Sequence, residues 1–575
     1  MDGRSPVQHR LDHVRPDQEI WQWSPVGRGR YHAQMNLALR MLRPVAATLV
    51  AALSITPAFA TTAQPRIAVS FAPGAHAQPI TGRVYVAISR SNDKPPIEQT
   101  DITGVPLFGH DVIALQPGQP ATIDASDAGA PLASLRDLPA GDYWMQPFVN
   151  VYTQFKRSDG HTLWMHMDQW EGQDWKHSPD NLYGQPVKVH FDPASDTPIA
   201  LVADQTIAPI AFPKDTPYVK RFRIKSEKLS AFWGHPIYFG ATVLLPKDYD
   251  QHPNVRYPVV YEQGHFSTDA PGGFDRPKSK FRNYWLADGT PRYIMVTLQH
   301  PSPYYDDSYA VNSLNEGPFD DAIQQELLPQ VETRFRIERQ PWARILTGGS
   351  TGGWIAVAQQ VFHPQFYGGS FASCPDSLDF RHHQVVDIYG DANAYWLDKG
   401  WVKVERPDTR QPDGNIEAMM KDENWYELAV GDRSRSGGQW DIWEAAFGPI
   451  GSDGYPQRIW DKRSGVIDHR VAAYWKQHFD LRNILQTQWP TLGPQLADKL
   501  HIYVGDADTY NLNMGVREMD AFLKTARNPG FGGSVTYQPM APHCWGPRGK
   551  ELFDTITTYI DGHAPADADL KSWRY

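Results

Sequence analysis

Two rhythms of apolar and polar positions divide the chain. From Arg66 to about Ile210, apolar residues come in short runs broken by turn clusters. Arg83-Val-Tyr-Val-Ala-Ile88 alternates with period two, while Leu115-Gln-Pro-Gly118 and Pro139-Ala-Gly-Asp142 read as turns. Tyr143–Tyr152, Val187–Phe191 and Ile199–Val202 are further strand candidates, and no long stretch has clean helical spacing. Strands at intervals of about 8–12 residues predict a β-sandwich over residues 61–210. From about Val219 the rhythm changes. Tyr238–Leu245, Tyr257–Tyr261, Tyr293–Leu298 and Arg344–Thr347 read as strands, the second nearly continuous in apolar character. Phe319, Ile323, Leu327, Val331 and Phe335 recur every four residues, which predicts one stripe of an amphipathic helix. Strands alternating with helices predict an α/β domain over residues 211–575, a mostly parallel sheet with helices on both faces.

A different pattern precedes both regions. Val45-Ala-Ala-Thr-Leu-Val-Ala-Ala-Leu-Ser-Ile55 is apolar but shorter than the roughly 20 residues that span a bilayer. Arg40 and Arg43 precede it, and Ala58-Phe-Ala60 follows with small residues at both required positions. Residues 35–60 therefore read as a secretory signal peptide cut after Ala60, and the expected destination is periplasmic or secreted. Residues 1–34 show little apolar periodicity. They read as an unstructured start-site extension, with translation expected to begin at Met35 or Met41.

Composition narrows the function classes. The formal net charge of −10 and the lack of a basic block argue against a nucleic-acid partner. No membrane span is expected after signal cleavage. No P-loop motif is present. His382-His383 and the pair His161 and His166 lack the i, i+4 spacing of a helical zinc motif, so neither metal nor cofactor is expected. Two cysteines allow one disulfide at most.

The chemistry concentrates at Gly348-Gly-Ser350-Thr-Gly352, a G-x-S-x-G between the strand Arg344–Thr347 and the Ala-rich run Trp354–Phe362. Strand, sharp turn and helix make a nucleophile elbow, which lifts a serine hydroxyl out of the sheet. That hydroxyl needs a base, and in this arrangement an acid and then a histidine follow the serine in sequence. Strand His501–Val504 leads into Gly505-Asp-Ala-Asp508. Strand Ser534–Tyr537 leads into Ala541-Pro-His543-Cys-Trp-Gly546. His543 is the candidate base and Asp508 the candidate orienting acid, with Asp506 and Asp376 as alternative acids. The expected oxyanion donors are the backbone N–H groups of Thr351 and of His265, the latter in Glu262-Gln-Gly-His265-Phe266. Tyr304, Tyr305 and Asp307 are weaker candidates for a pocket rim.

Three segments carry a family resemblance. Ala241-Thr-Val-Leu-Leu-Pro246-Lys-Asp-Tyr249 and Tyr257-Pro-Val-Val-Tyr261-Glu-Gln-Gly264 are the first two. The third is Glu326-Leu-Leu-Pro-Gln-Val-Glu332-Thr-Arg-Phe335 ahead of Gly348–Gly353. Together they resemble the esterase D-like family of α/β-hydrolases, over roughly residues 220–375 and 495–562. The resemblance implies a cofactor-free serine hydrolase with Ser350, Asp508 and His543 as its triad. An N-terminal β-domain is similar to the layout of enterochelin-esterase-like proteins. The expected function is cleavage of a carboxylic ester, small or glycan-linked, through an acyl-enzyme on Ser350. Acyl transfer by the same triad, and a non-catalytic binding protein on this scaffold, stay open, as does the oligomeric state.

The sequence departs from the family pattern between about Leu378 and Leu496, an insertion with eight tryptophans. Those rings either line the pocket or pack a core of the insertion's own. Cys374 and Cys544 fall at the same rim of the expected site, which predicts a Cys374–Cys544 disulfide pinning the histidine loop.

Overall fold

Eight strands of the second rhythm assemble into one sheet. They are β1 (Val219–Ser226), β2 (Ile237–Leu244), β3 (Val259–Gln263), β4 (Ile294–Gln299), β5 (Arg344–Gly349), β6 (Gly369–Ser373), β7 (Leu500–Gly505) and β8 (Ser534–Gln538). Their spatial order is β1-β2-β4-β3-β5-β6-β7-β8. β1, β2 and β4 pair antiparallel, and every pair from β4 onward is parallel. The central strands read as unbroken apolar runs because helices cover both their faces. The structure is a computed structural model that describes residues 64–575. The start-site extension 1–34 and the signal segment 35–60 lie outside the described residues.

The apolar stripe from Phe319 forms α-helix over Phe319–Ala322, a π-helical turn over Ile323–Leu327 and α-helix again over Leu328–Arg334. A repeat of four residues drifts around an ideal helix of 3.6 per turn. The wider π turn takes up that drift and keeps Phe319, Ile323, Leu327 and Val331 buried on one side. Helix α1 (Thr351–Phe362) follows β5 and is buried almost throughout.

The first rhythm gives a sheet of three strands, a sheet of seven and a two-stranded hairpin over Thr153–Lys156 and Thr162–Met165. Val69, Val84, Val86, Phe108, Met145 and Leu201, from the two larger sheets, meet in one core. Trp170 and Trp175 of this region are buried, at 8% and 7% exposure. Trp175 stacks on Tyr85 at 4.6 Å, and Trp170 packs edge-on against Phe266 at 5.2 Å.

The segment between β6 and β7 carries helices α2 (Met420–Val430) and α3 (Gln439–Phe447). Trp440, Trp443, Trp460, Trp475 and Trp489 are buried, whereas Trp401 is fully exposed. The first four surround the ring of His383, whose pKa burial pushes down to about 3, so it packs as a neutral aromatic ring. Most of the tryptophan excess is therefore internal packing.

Charged side chains fasten the insertion. Buried Lys462 donates to Glu427 at 2.5 Å and to Asp441, and Glu427 also accepts the N–H groups of Trp440 and Asp441 at the start of α3. One ammonium thus joins α2, α3 and the following loop. On the other side, Arg83 and Tyr85 of the strand Ile80–Ser89 grip the end of α2. Arg83 donates to the carbonyls of Leu428 and Ala429, and the Tyr85 hydroxyl donates to that of Val430 at 2.6 Å. A cation at a helix C-terminus complements its dipole and satisfies its orphan carbonyls. Asp111 then bridges Arg83 and Arg435.

Removing one partner of a buried ion network leaves uncompensated charge, which costs about 3–5 kcal/mol. Lys462→Ala is expected to lower stability by that amount in chemical denaturation, because Glu427 and Asp441 would lose their shared cation. A loss under ~1 kcal/mol would contradict this reading.

Candidate active site

Strand β5 lies in the middle of the sheet and ends at Gly349, and the chain turns at Ser350 with φ 58° and ψ −125°. This conformation costs a non-glycine residue on the order of 1–3 kcal/mol and persists only where the surroundings enforce it. Here they do. The Ser350 N–H donates to the Ser373 carbonyl at 3.1 Å, and Trp354 N–H returns to the Ser350 carbonyl at 3.0 Å. A Cβ at Gly352 would stand 2.1 Å from the Gln263 carbonyl oxygen and 2.8 Å from Gly264 N; one at Gly348 would meet the Gly352 carbonyl at 2.3 Å. Only glycine lets β5, the start of α1 and the loop after β3 approach this closely.

The loops after β7 and β8 deliver the expected partners. His543 Nε2 is 3.0 Å from Ser350 Oγ, and His543 Nδ1 is 2.8 Å from Asp508 Oδ2. With the proton on Nδ1 donated to Asp508, Nε2 is free to accept the serine proton. Asp508 is fully buried, and its Oδ1 accepts the N–H groups of Tyr510 and Leu512. The Tyr510 ring packs edge-on against His543 at 4.8 Å.

The other two acids considered in the sequence sit elsewhere. Asp506 accepts the Met540 N–H at 2.6 Å and clasps the entry to the histidine loop, rather than meeting His543. Asp376 reaches the serine instead of the histidine, with Oδ1 3.3 Å from Ser350 Oγ. Its Oδ2 accepts from Tyr309 OH at 2.5 Å and from Thr351 Oγ1 at 3.2 Å. Burial raises the Asp376 pKa, against the pull of those donors and of the His543 and His265 rings.

His265 lies in the loop that abuts Gly352. Its Nδ1 is 3.1 Å from Asp306 Oδ1 and 3.4 Å from Asp307 Oδ2. Burial works against the imidazolium, but the two carboxylates prevail and push its pKa up to about 11. The next residue, Phe266, is held by Trp170 and by Gly172, where a Cβ would come within 2.7 Å of its ring. Of the expected rim residues, Tyr304 and Asp307 are buried rather than at a rim, because Tyr304 packs against Trp233 and Asp307 turns inward to His265. Tyr305 does reach the site, donating to Gln439 Oε1 at 2.7 Å.

Two residues that the sequence did not point to, Tyr309 and Gln439, complete this wall together with Trp443, one of the insertion's eight tryptophans. Tyr309, with a left-handed φ of 52°, receives hydrogen bonds from Gln439 Nε2 and, at 2.6 Å, from Trp443 Nε1. Helix α3 of the insertion thus touches the site through Tyr309 and Asp376. No short-range pattern links positions 309, 376 and 439.

Cys374 and Cys544 are both unbonded, with their Sγ atoms 2.6 Å apart and both residues at positive φ. Cys544 is pulled down to about 5, by Cys374 first, against burial, and then by His543. His543 is pushed up to about 10: burial lowers it, but Asp508 and then Cys544 outweigh that. Two clusters hold metal-ligating atoms within 4.8 Å of one another: His265, Asp306 and Asp307, and Cys374, His543 and Cys544. The first of two cavities flanks the elbow. It holds about 650 Å³ and is walled by Gly349, Cys544, Phe281 and Phe553, and the second, of about 360 Å³, adjoins Tyr305 and Gln439. Among the described residues, no helix is long and apolar enough to cross a membrane.

No curated protein matches the sequence. Among solved structures, the chain is similar to a ferulic acid esterase, at 14% identity over 60% of this chain and 98% of that one, with a TM-score of 0.34. It is also similar to an S-formylglutathione hydrolase from Agrobacterium tumefaciens, at 13% identity over 61% and 95%, with a TM-score of 0.31. A third is the S-formylglutathione hydrolase FrmB from Staphylococcus aureus, at 10% identity over 60% and 99%, with a TM-score of 0.31. Residues 239–403, which run from β2 through the elbow and Asp376, match the family model "Putative esterase", so this stretch of the chain is similar to that family.

Proposed function

We propose that the protein hydrolyses a carboxylic ester through an acyl-enzyme on Ser350. The observation that carries this reading is the relay of Asp508, His543 and Ser350 at a strained strand-to-helix turn. His543 Nε2 takes the Ser350 proton as Oγ attacks the ester carbonyl. The Thr351 and His265 N–H groups are assigned to the tetrahedral oxyanion, in keeping with the contact between Gly352 and the Gln263–Gly264 backbone. His543 then protonates the departing alkoxide, and Asp508 stabilises the imidazolium meanwhile. In the second half, His543 activates water to release the acid.

Ser350→Ala is expected to lower kcat by about 10⁴-fold or more and to abolish covalent labelling by a fluorophosphonate. Asp508→Asn should cost about 10⁴-fold in kcat, as the histidine loses its tautomer. A folded protein that neither takes the label nor cleaves p-nitrophenyl butyrate would leave the scaffold as a binding protein. An added alcohol that captures the acyl group faster than water would assign acyl transfer.

The proposal includes a Cys374–Cys544 bond, supported by the proximity of the two sulfurs. Each thiol gives up a proton, and the pair gives two electrons to a disulfide oxidant outside the cytoplasm. The bond has a chemical consequence for the base. A thiolate at Cys544 holds His543 protonated, and a protonated imidazole takes no proton from serine. Bonding removes that anion, so His543 titrates lower and works at lower pH. Thiol titration of the native protein should find no free thiol. Since kcat/KM rises as His543 loses its proton, reduction should move the acid limb of the pH profile upward, toward 10. Two free thiols, or a limb that reduction leaves in place, would reject the bond.

Export to the periplasm or medium is part of the same reading, supported by Arg40, Arg43, the apolar run and Ala58-Phe-Ala60. N-terminal sequencing of exported protein should begin at Thr61.

A further inference from the structure

Asp508 occupies the orienting position, so Asp376 stands beside the nucleophile with no part in the relay. Its carboxyl is only 4% exposed. Oδ2 is occupied by Tyr309 and Thr351, whereas Oδ1 has only Ser350 Oγ at 3.3 Å. That donor is lost once the serine proton passes to His543 Nε2, 3.0 Å from Oγ, in the proposed reaction. The lone pairs of Oδ1 therefore face the reacting centre without a committed donor. The carboxyl is held there firmly: Gln439 and Trp443 of the insertion both donate to Tyr309 OH.

Beyond Gln439 and Tyr305 opens the 360 Å³ cavity, built jointly by the strand-rich region, the loop after β4 and the insertion. Its walls carry the carboxylates of Asp101, Asp174, Asp306 and Glu423 and the rings of Trp175 and Tyr426. No Lys, Arg or His stands among its lining residues, although from just outside it His265 pairs with Asp306 at 3.1 Å and His177 with Asp174 at 2.7 Å, so Asp101 and Glu423 are the carboxylates most open to a further cation. Lys176, a neighbour of Asp101 and Asp174, donates its Nζ to the Thr100 carbonyl. Carboxylates beside aromatic faces suit an ammonium group, which gains both Coulomb and cation–π attraction.

The reaction itself points the same way. A fixed carboxylate this close to Oγ opposes the negative charge that develops on the tetrahedral oxygen of a neutral ester. An ester that brings its own cation cancels that opposition where it matters most, in the transition state. We propose that the substrate is an ester bearing an ammonium group close to the ester bond, on its acyl or its alcohol side. Asp376 Oδ1 receives the ammonium and is the specificity-determining residue, and the acidic cavity holds what lies beyond. This inference rests on the ester-hydrolase reading above.

Isosteric substrate pairs test it. The acyl-side pair is the p-nitrophenyl ester of β-alanine against that of butyrate; the alcohol-side pair is acetylcholine against 3,3-dimethylbutyl acetate. In the wild-type protein, the cationic member of at least one pair should have a kcat/KM about tenfold higher or more. Asp376→Asn should bring that ratio to within about threefold of unity. Because Asp376→Asn alters a buried hydrogen-bond network, a second readout uses wild-type protein alone. The amide of β-alanine or choline, matching the preferred pair, should inhibit butyrate ester hydrolysis, and its neutral isostere should not. Equal use of both members of both pairs overturns the proposal, as does a wild-type ratio retained in Asp376→Asn. Loss of fluorophosphonate labelling and of all ester cleavage would instead strike the ester-hydrolase reading itself, and this inference with it.

Discussion

Everything at the candidate site depends on backbone segments meeting where no side chain fits. Gly348 and Gly352 bring β5, the first turn of α1 and the loop after β3 into contact that a single Cβ would break. The same contact holds Ser350 in a left-handed conformation, so its hydroxyl projects away from the sheet. Strain at Ser350 is tolerated because the parallel sheet beneath it is rigid, with β5 paired on both edges over its length. Gly505 plays a similar part for the histidine loop, since a Cβ there would lie 2.2 Å from the Ala541 carbonyl. The relay is thus set by backbone packing first and side-chain chemistry second.

The walls around that relay come from outside the sheet. Arg410 of the insertion donates to the Asp508 carbonyl, Gln439 and Trp443 fix Tyr309, and Trp170 of the strand-rich region braces Phe266. These contacts hold only if the insertion keeps its own shape, which the Lys462 network and the ring of tryptophans about His383 maintain. Buried charge is a costly way to build a core unless every partner is in place. It does, however, fix one arrangement of helices, and here that arrangement places Gln439 within reach of Tyr309.

Much of the fold was legible because its signals are local. An elbow is a string of five residues between a strand and a helix, and the chain order of serine, acid and histidine follows from parallel strands read in sequence. Asp508 could be ranked but not separated from Asp506 by pattern, because both lie in one short loop; the backbone decides, turning one to His543 and the other to Met540 N–H. Tyr304 read as a rim residue from its place after a strand, yet the chain folds back and buries it against Trp233. The contacts of Tyr309 with Asp376 and Gln439 span 67 and 130 residues, and no periodicity encodes them. The four-residue stripe after Phe319 was legible as a helix but not as one containing a π turn, although its excess over 3.6 is the trace of that turn.

The grip of Arg83 and Tyr85 on the last carbonyls of α2 has a consequence for how such a chain diversifies. The insertion is the segment that touches the nucleophile's neighbours, and its helix is finished off by a strand encoded more than 300 residues earlier. Swapping the insertion alone would leave a buried guanidinium facing a foreign partner, and swapping the strand-rich region alone would leave helix carbonyls bare. Exchanging either segment alone would therefore be destabilising, and only a matched exchange of both would keep the buried guanidinium and the helix carbonyls satisfied.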